Sequence, residues 1–285
     1  LTIERFQMVD QAYTQYIEQH PELEDLWLLE QTVHTARERR GLYAFLPLRE
    51  GARVLDVGTG FGALATELAF FAPVMVTAVD VDEKKLEIAN VLVRNIVEQG
   101  KVDWHLPNFT VGDVYELPFA EQSFDLVISR FLFQHLENPV IGMQELFRVL
   151  RSGGVACVID VDEGLSLSYP ESNGYQVLHK AFMGLQERAG GDRKIGRKLA
   201  HYLQNAGFVG VQSVAQVQSG YSKSTIGDEA VQFVLRRLRQ VRDRVLAAGL
   251  LTAAEFDAYY DQYQMDAQQW HFETNGQVTA FAVKP

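Results

Sequence analysis

The chain of 285 residues has a single cysteine, Cys157. It cannot form an intramolecular disulfide, and zinc sites built from several cysteines are excluded. Long apolar runs are missing too. The longest, Leu68 to Val79, is broken by Pro73 and Thr77 and is too short to cross a bilayer. Basic residues are in deficit: 26 Lys and Arg stand against 37 Asp and Glu, giving a net charge of −11. Such a field repels phosphate backbones and anionic lipid, so neither nucleic acid nor a membrane is an expected partner. No internal repeat or low-complexity tract breaks the pattern. The first residues do not combine basic side chains, an apolar run and a cleavage site, so no secretory signal is expected. With the lone cysteine, this makes the cytoplasm the expected location.

What is present is an ordinary globular composition, 47% hydrophobic and 22% charged. The length suits one large α/β domain with insertions, or a core plus a small cap. Residues 1–48 read as helical, broken once by Pro21, and form an expected N-terminal cap. From Ala52 the pattern switches to alternating strands and helices, the signature of a parallel sheet with crossover helices. Strands are expected at 53–57, 74–79, 108–111, 124–129, 155–161, 209–214 and 277–283. Asp82 and Asn138 are expected helix caps, the latter followed by Pro139. Thr252 and Glu255 have capping-box spacing. Residues 162–194 read as a partly helical insertion, and 218–274 as mainly helical.

The most informative stretch is Val54-Leu55-Asp56-Val57-Gly58-Thr59-Gly60-Phe61-Gly62, a strand running into glycines and then a helix. Glycines there let the backbone come close to a ligand at the strand's C-terminal end, where open α/β sheets bind cofactors. Gly58 to Ala63 also fits the dinucleotide pattern GxGxxA, with Asp80 about twenty residues on, where a ribose-binding acid belongs. Asp56 weighs on the choice. A carboxylate so near the turn would sit beside a dinucleotide's pyrophosphate, whereas S-adenosylmethionine carries a sulfonium and an ammonium and no phosphate. Asp56 can equally serve only to tie down the turn, a role compatible with both cofactors.

Further motifs follow in order: Thr77-Ala78-Val79-Asp80-Val81-Asp82, Val111-Gly112-Asp113-Val114-Tyr115-Glu116-Leu117-Pro118-Phe119, Ser123 to Phe131, and Leu150-Arg151-Ser152-Gly153-Gly154. Together with the glycine turn they resemble the class I S-adenosylmethionine-dependent methyltransferases. Leu117-Pro118-Phe119 and Phe133-Gln134-His135-Leu136 look most like the ubiquinone/menaquinone-biosynthesis branch. The resemblance is tight over residues 52–160 and looser beyond. Thr59 stands where Cys is common, and Ser152 replaces a frequent Pro. It implies a Rossmann-like, mostly parallel seven-stranded α/β sheet of order 3-2-1-4-5-7-6, its last strand antiparallel. Residues 49–285 would be the methyltransferase domain, with lid insertions at 162–194 and 218–274.

The resemblance also implies a cofactor site: Asp56, Gly58, Thr59, Gly60 and Gly62 at the turn, Asp80 with Val81 at the ribose, Asp113 with Val114 at the adenine, and Ser129 and Arg130 at the fourth strand's tip. The implied reaction moves a methyl group to an O, N or C atom of a small or medium-sized metabolite or natural product. S-adenosylhomocysteine is the product. Methyl transfer needs alignment and exclusion of water more than a catalytic group, so the acceptor is not legible. An NAD-dependent oxidoreductase and a non-catalytic cofactor-binding regulator are the alternatives.

Several residues carry two readings. His135 can be a general base or pack locally. Arg130 can meet the cofactor's carboxylate or pair with Asp125 or Glu137. Among Asp160, Asp162 and Glu163 one can face the acceptor, the others being solvated loop acids. Arg37, Arg39 and Arg40 end a helix, which favours cations, or reach the cofactor. Arg236, Arg237, Arg239, Arg242 and Arg244 read as a solvated helix face. Tyr259, Tyr260, Tyr263, Trp270 and Phe272 read as cap core. Cys157 reads as inert core.

Overall fold

Strand β1 (Arg53–Val57) is buried from Val54 onward and pairs in parallel with β2 (Met75–Asp80) on one side and β4 (Phe124–Arg130) on the other. This is the continuous apolar strand expected of a parallel sheet covered on both faces. The computed structural model describes residues 2–23, 25–100, 105–223 and 229–285. β3 (Asn108–Val111) lies outside β2, and β5 (Leu150–Val161) follows β4 in parallel. β8 (Trp270–Val283) runs antiparallel to β5 and, on its other side, to β7 (Val209–Lys223). The resulting path β3-β2-β1-β4-β5-β8-β7 is the expected order, with one added strand. That addition, β6 (Leu167–Tyr169), sits on the same side of β8 as β5.

Helices α4 (Ala63–Phe71) and α5 (Glu83–Gly100) cover one face, and α6 (Pro139–Val149) and α8 (Leu199–Asn205) the other. Residues alternate between the two cores along each strand: Val54, Cys157 and Ile159 pack with Leu64 and Leu68, while Leu55, Val57 and Val158 pack with Met143 and Leu146. The Asp82 side chain accepts from the Lys85 N–H as a cap, and the Thr252 to Glu255 capping box is closed. Asn138 makes no such cap bond, although Pro139 does begin α6.

The N-terminal cap comprises α1 (Thr2–Gln19), α2 (Leu26–His34) and α3 (Ala36–Gly41). Its attachment to the sheet domain is electrostatic as well as apolar. Arg39, Arg40 and the Tyr43 hydroxyl all donate to the buried Glu67 carboxylate of α4. The last-turn arginines therefore serve neither a helix terminus alone nor a cofactor; they clamp the cap onto α4.

Helices α7 (Asn173–Arg188), α9 (Glu229–Ala247) and α10 (Ala253–Asp266), in the segments expected to form a lid and called the lid below, share a core of their own. The expected helical insertion at 218–274 is corrected at both ends, where β7 and β8 continue as a paired ribbon beyond the sheet. Ser219 and Gly220 are poor helix formers, and Trp270, Phe272 and Thr274 favour a pleated, paired backbone. Residues 224–228 of that insertion lie outside the described residues. Trp270 is also largely exposed and stacks on Tyr221, so it is not cap core. Among the described residues, no helix is long and apolar enough to cross a membrane.

Candidate active site

The strand register assembles the candidate residues. Val57 sits beside Val79 and Ser129, Asp80 beside Val111, and Ser129 beside Val158, so the residues after these positions emerge along one edge. At its centre the Gly58 and Thr59 N–H groups donate to the Val79 carbonyl, and Gly60 N–H donates to Asp80 Oδ2 at 2.7 Å. Asp80 Oδ1 accepts from the Asp82 N–H at 3.0 Å. Each carboxylate oxygen keeps a second lone pair available to a ligand. Gly60 (φ +55) and Gly62 (φ +76) are left-handed, and they differ in surroundings: a Cβ on Gly62 would lie 2.6 Å from the Phe109 ring, whereas one on Gly60 would meet nothing within 4 Å. Gly62 is demanded by packing. Gly60 borders open space.

Asp56 is almost fully buried and accepts from the Thr59 hydroxyl at 2.6 Å. Burial, reinforced by the neighbouring Asp80 charge, pushes its pKa up to about 7 despite that bond. It ties the turn from within. At neutral pH it carries only part of a charge, which weakens the argument that it selects a cationic cofactor by direct attraction.

Further along the edge, Asp113 is exposed and its Oδ1 accepts from the Tyr115 N–H, while Gly112 N–H donates to the Asp80 carbonyl. Val81 is exposed beside Asp80, and Val114 is buried. At the β4 tip, Ser129 Oγ and the Nε and Nη2 of Arg130 are enclosed without hydrogen-bond partners among the described residues. The sequence-level pairings for Arg130 do not form: Asp125 takes Arg151 and the Arg53 N–H instead. The Arg130 guanidinium lies 3.9 Å from the centroid of the Phe131 ring, and Phe131 adopts the left-handed region (φ 60). Burial, and then the Arg39 charge, lower the Arg130 pKa to about 9.

His135 lies in a 3-10 turn (Phe133–His135) after β4. Although the residue as a whole is exposed, desolvation of the ring, followed by the charges of Arg193 and Lys85, lowers its pKa to about 4. Gln186 Nε2 approaches His135 Nδ1 at 3.3 Å, while Gln186 Oε1 accepts from Arg193. That amide orientation makes Nδ1 the acceptor and leaves the ring proton on Nε2.

The acids at the end of β5 and just after it are not solvated. Asp160 accepts from the Gln134 and Val161 N–H groups, Asp162 pairs with Arg197, and Glu163 pairs with Arg193 and lies 3.5 Å from His179. Arg239 and Arg244 of α9 are exposed, as expected of a solvated face, but its other arginines depart from that reading. Arg236 pairs with Glu30 of α2, Arg242 with Asp257, and Arg237 lies among aromatic rings of the lid. These pairings went unrecognised because most partners are distant in sequence, Arg236 and Glu30 being 206 residues apart, and no local spacing betrays them.

A family model described as a methyltransferase domain matches residues 55–158. The 27-O-demethylrifamycin SV methyltransferase of Amycolatopsis mediterranei is 27% identical over 88% of this chain and 79% of its own length. An O-methyltransferase, resE, of Aspergillus sclerotiorum is 31% identical over 63% of this chain and 64% of its own. Among solved structures, a candidate methyltransferase of Bacillus halodurans C-125 superposes with TM-score 0.59 at 20% identity, covering 87% of this chain and 99% of that one. Haemonchus contortus phosphoethanolamine N-methyltransferase 2, in complex with phosphomonomethylethanolamine and S-adenosylhomocysteine, gives 0.53 at 21% over 87% of this chain and 52% of that one. At these identities the structural likeness is one of fold.

Proposed function

We propose, on the methyltransferase-domain match over residues 55–158, that the protein is a class I S-adenosylmethionine-dependent methyltransferase that methylates an oxygen, nitrogen or carbon atom of a small or medium-sized molecule. A hydroxyl oxygen is the favoured acceptor atom, because the relatives from Amycolatopsis and Aspergillus are both named for O-methyl transfer. The observation that carries the reading is the Arg130 guanidinium, enclosed at the β4 tip with Nε and Nη2 unpartnered. A carboxylate is the complement such a group lacks, and the amino-acid end of S-adenosylmethionine provides one.

When bound, the cofactor supplies a sulfonium methyl already activated for displacement. The chain's own residues bind and enclose. Asp80 offers acceptor lone pairs to the ribose hydroxyls, and Asp113 with the Val114 N–H serves the adenine. Ser129 and Arg130 take the amino-acid end, with Gly58, Thr59, Gly60 and Val81 supplying close backbone. Asp56 and Gly62 hold the turn's shape. The N-terminal cap and the lid exclude water and align the acceptor, the main contributions required. His135 acts as a hydrogen-bond donor through Nε2; a base with a pKa about 4 is poorly matched to work near neutrality.

Calorimetry with S-adenosylhomocysteine tests the cofactor, and S-adenosylhomocysteine is expected to bind. Binding of NADH in its place would instead favour an oxidoreductase. Transfer of labelled methyl to members of an acceptor screen separates an enzyme from a regulator, because only an enzyme passes the label on.

A further inference from the structure

Inside the lid lies a positive charge that nothing among the described residues neutralises. Arg237 of α9 makes no hydrogen bond or ion pair there, and its Nε is enclosed. Its surroundings are rings: the guanidinium carbon is 5.0 Å from the Phe182 centroid and 5.9 Å from that of Phe233, which stacks on His34 of the N-terminal cap. The neighbouring charges are already matched. Glu163 receives Arg193, and Glu30 receives Arg236. The residue is half-buried, with Nε its enclosed atom; a partly desolvated guanidinium without a counter-ion is costly, and it cannot lower that cost by proton loss at ordinary pH. Burial, acting first, lowers the Arg237 pKa.

The position connects this charge to the strand tips. Phe182 is flanked by two guanidiniums, Arg237 and, at 5.3 Å, Arg193. Arg193 in turn donates to Gln134 Oε1 at 2.9 Å, in the turn that follows β4. Arg237 is thus one ring and one side chain removed from the turn that follows β4.

We propose that Arg237 is a specificity-determining residue, and that the methyl acceptor carries a carboxylate on an aromatic or similarly flat apolar body. The guanidinium fork matches a carboxylate bidentately, and the rings of Phe182 and Phe233 give the body apolar walls. This rests on the methyltransferase reading above and adds the acceptor's charge to it.

The test measures binding to the purified full chain saturated with S-adenosylhomocysteine. The probes are a panel of hydroxylated benzoates and naphthoates, each paired with its neutral methyl ester. Acids are expected to bind at least about tenfold more tightly than their esters, the scale of one charge-assisted hydrogen bond. R237Q is expected to abolish that preference, and R237K to retain part of it. S-adenosylhomocysteine affinity should be the same in wild type, R237Q and R237K, which also shows that the variants fold. Failure of every acid to bind, equal binding of acid and ester, or an undiminished preference in R237Q overturns the proposal. Failure of wild type to bind S-adenosylhomocysteine overturns the methyltransferase reading itself, and is read separately.

Discussion

Arg39 and Glu67 meet fork to fork: Arg39 Nε donates to Glu67 Oε2 and Nη2 to Oε1, both at 2.8 Å, with the side chains 3% and 0% exposed. The pair joins the helical cap to the helix that follows the glycine turn. Burial works against the Glu67 charge, but Arg39 and then Arg40 outweigh it and hold the carboxyl below its usual range. Replacing Glu67 by Ala leaves two guanidiniums without that counter-ion. The expected cost is about 3–5 kcal/mol. Urea unfolding at pH 7 measures it, and a loss below about 1 kcal/mol would show that the clamp is not structural.

Gly60 and Gly62 separate binding from packing. Both have positive φ, so Ala at either site loses about 1 kcal/mol to backbone strain. At Gly62 the added methyl must also displace the Phe109 ring and Ala89, a further cost of about 1–3 kcal/mol. Gly60→Ala should therefore unfold near wild type yet bind S-adenosylhomocysteine poorly, because its methyl enters the space offered to the ligand. Gly62→Ala should mainly lose stability. Thermal unfolding with and without ligand distinguishes the two, and equal behaviour would argue against an open cradle at Gly60.

Much of this site was legible from local chemistry. Strand β3 at 108–111, the cap at Asp82 and the capping box at Thr252 rest on residues within a few positions of one another, and the structure has them as read. The glycine turn was equally plain. What escaped depends on partners distant in sequence. Glu67 sits in an apolar helix with nothing to announce Arg39, and Glu163 resembles a loop acid until Arg193 folds against it. The extension of β7 and β8 was hidden because their outer halves pair with each other and with the three-residue strand β6, away from the parallel core.

Asp80 and Asp113 occupy the tips of neighbouring strands, and the proposed roles give each a hydrogen bond to the cofactor. Asp80→Ala and Asp113→Ala should each weaken S-adenosylhomocysteine binding by about 1–3 kcal/mol. Asp80→Ala carries an additional structural penalty, because Gly60 N–H and Asp82 N–H both donate to this carboxylate. Calorimetry on both variants is the measurement. Unchanged affinity in both would displace the site from this edge.

Arg130 separates stability from binding in the opposite sense. Its enclosed Nε and Nη2 have no partner among the described residues, so Arg130→Met removes a desolvated charge at little expense. The variant should be as stable as wild type to within about 1 kcal/mol, the cation–π contact with Phe131 being the main loss. Its S-adenosylhomocysteine affinity should drop by about 1.5–3 kcal/mol, the worth of a charge-assisted hydrogen bond. A variant that binds normally would free Arg130 from the cofactor; one that unfolds readily would make it a core residue.

The raised pKa of Asp56 gives stability a pH dependence of definite sign. Burial lifts the folded-state value to about 7, above the unfolded carboxyl near 4. Between those values the folded state binds more protons than the unfolded, so unfolding free energy falls as pH rises. The favourable contribution is whole below the unfolded pKa and is lost through about pH 7. Asp160, also lifted to about 7 by burial, acts in the same window and leaves a residual slope when Asp56 is replaced. Asp56→Asn keeps an acceptor for the Thr59 hydroxyl while removing the titration. Urea unfolding from pH 4 to 8 should show wild type losing its advantage over Asp56→Asn as pH rises. A difference constant across that range would mean that Asp56 is ionised in the folded protein throughout, and its place beneath the turn would then need a cation to account for it.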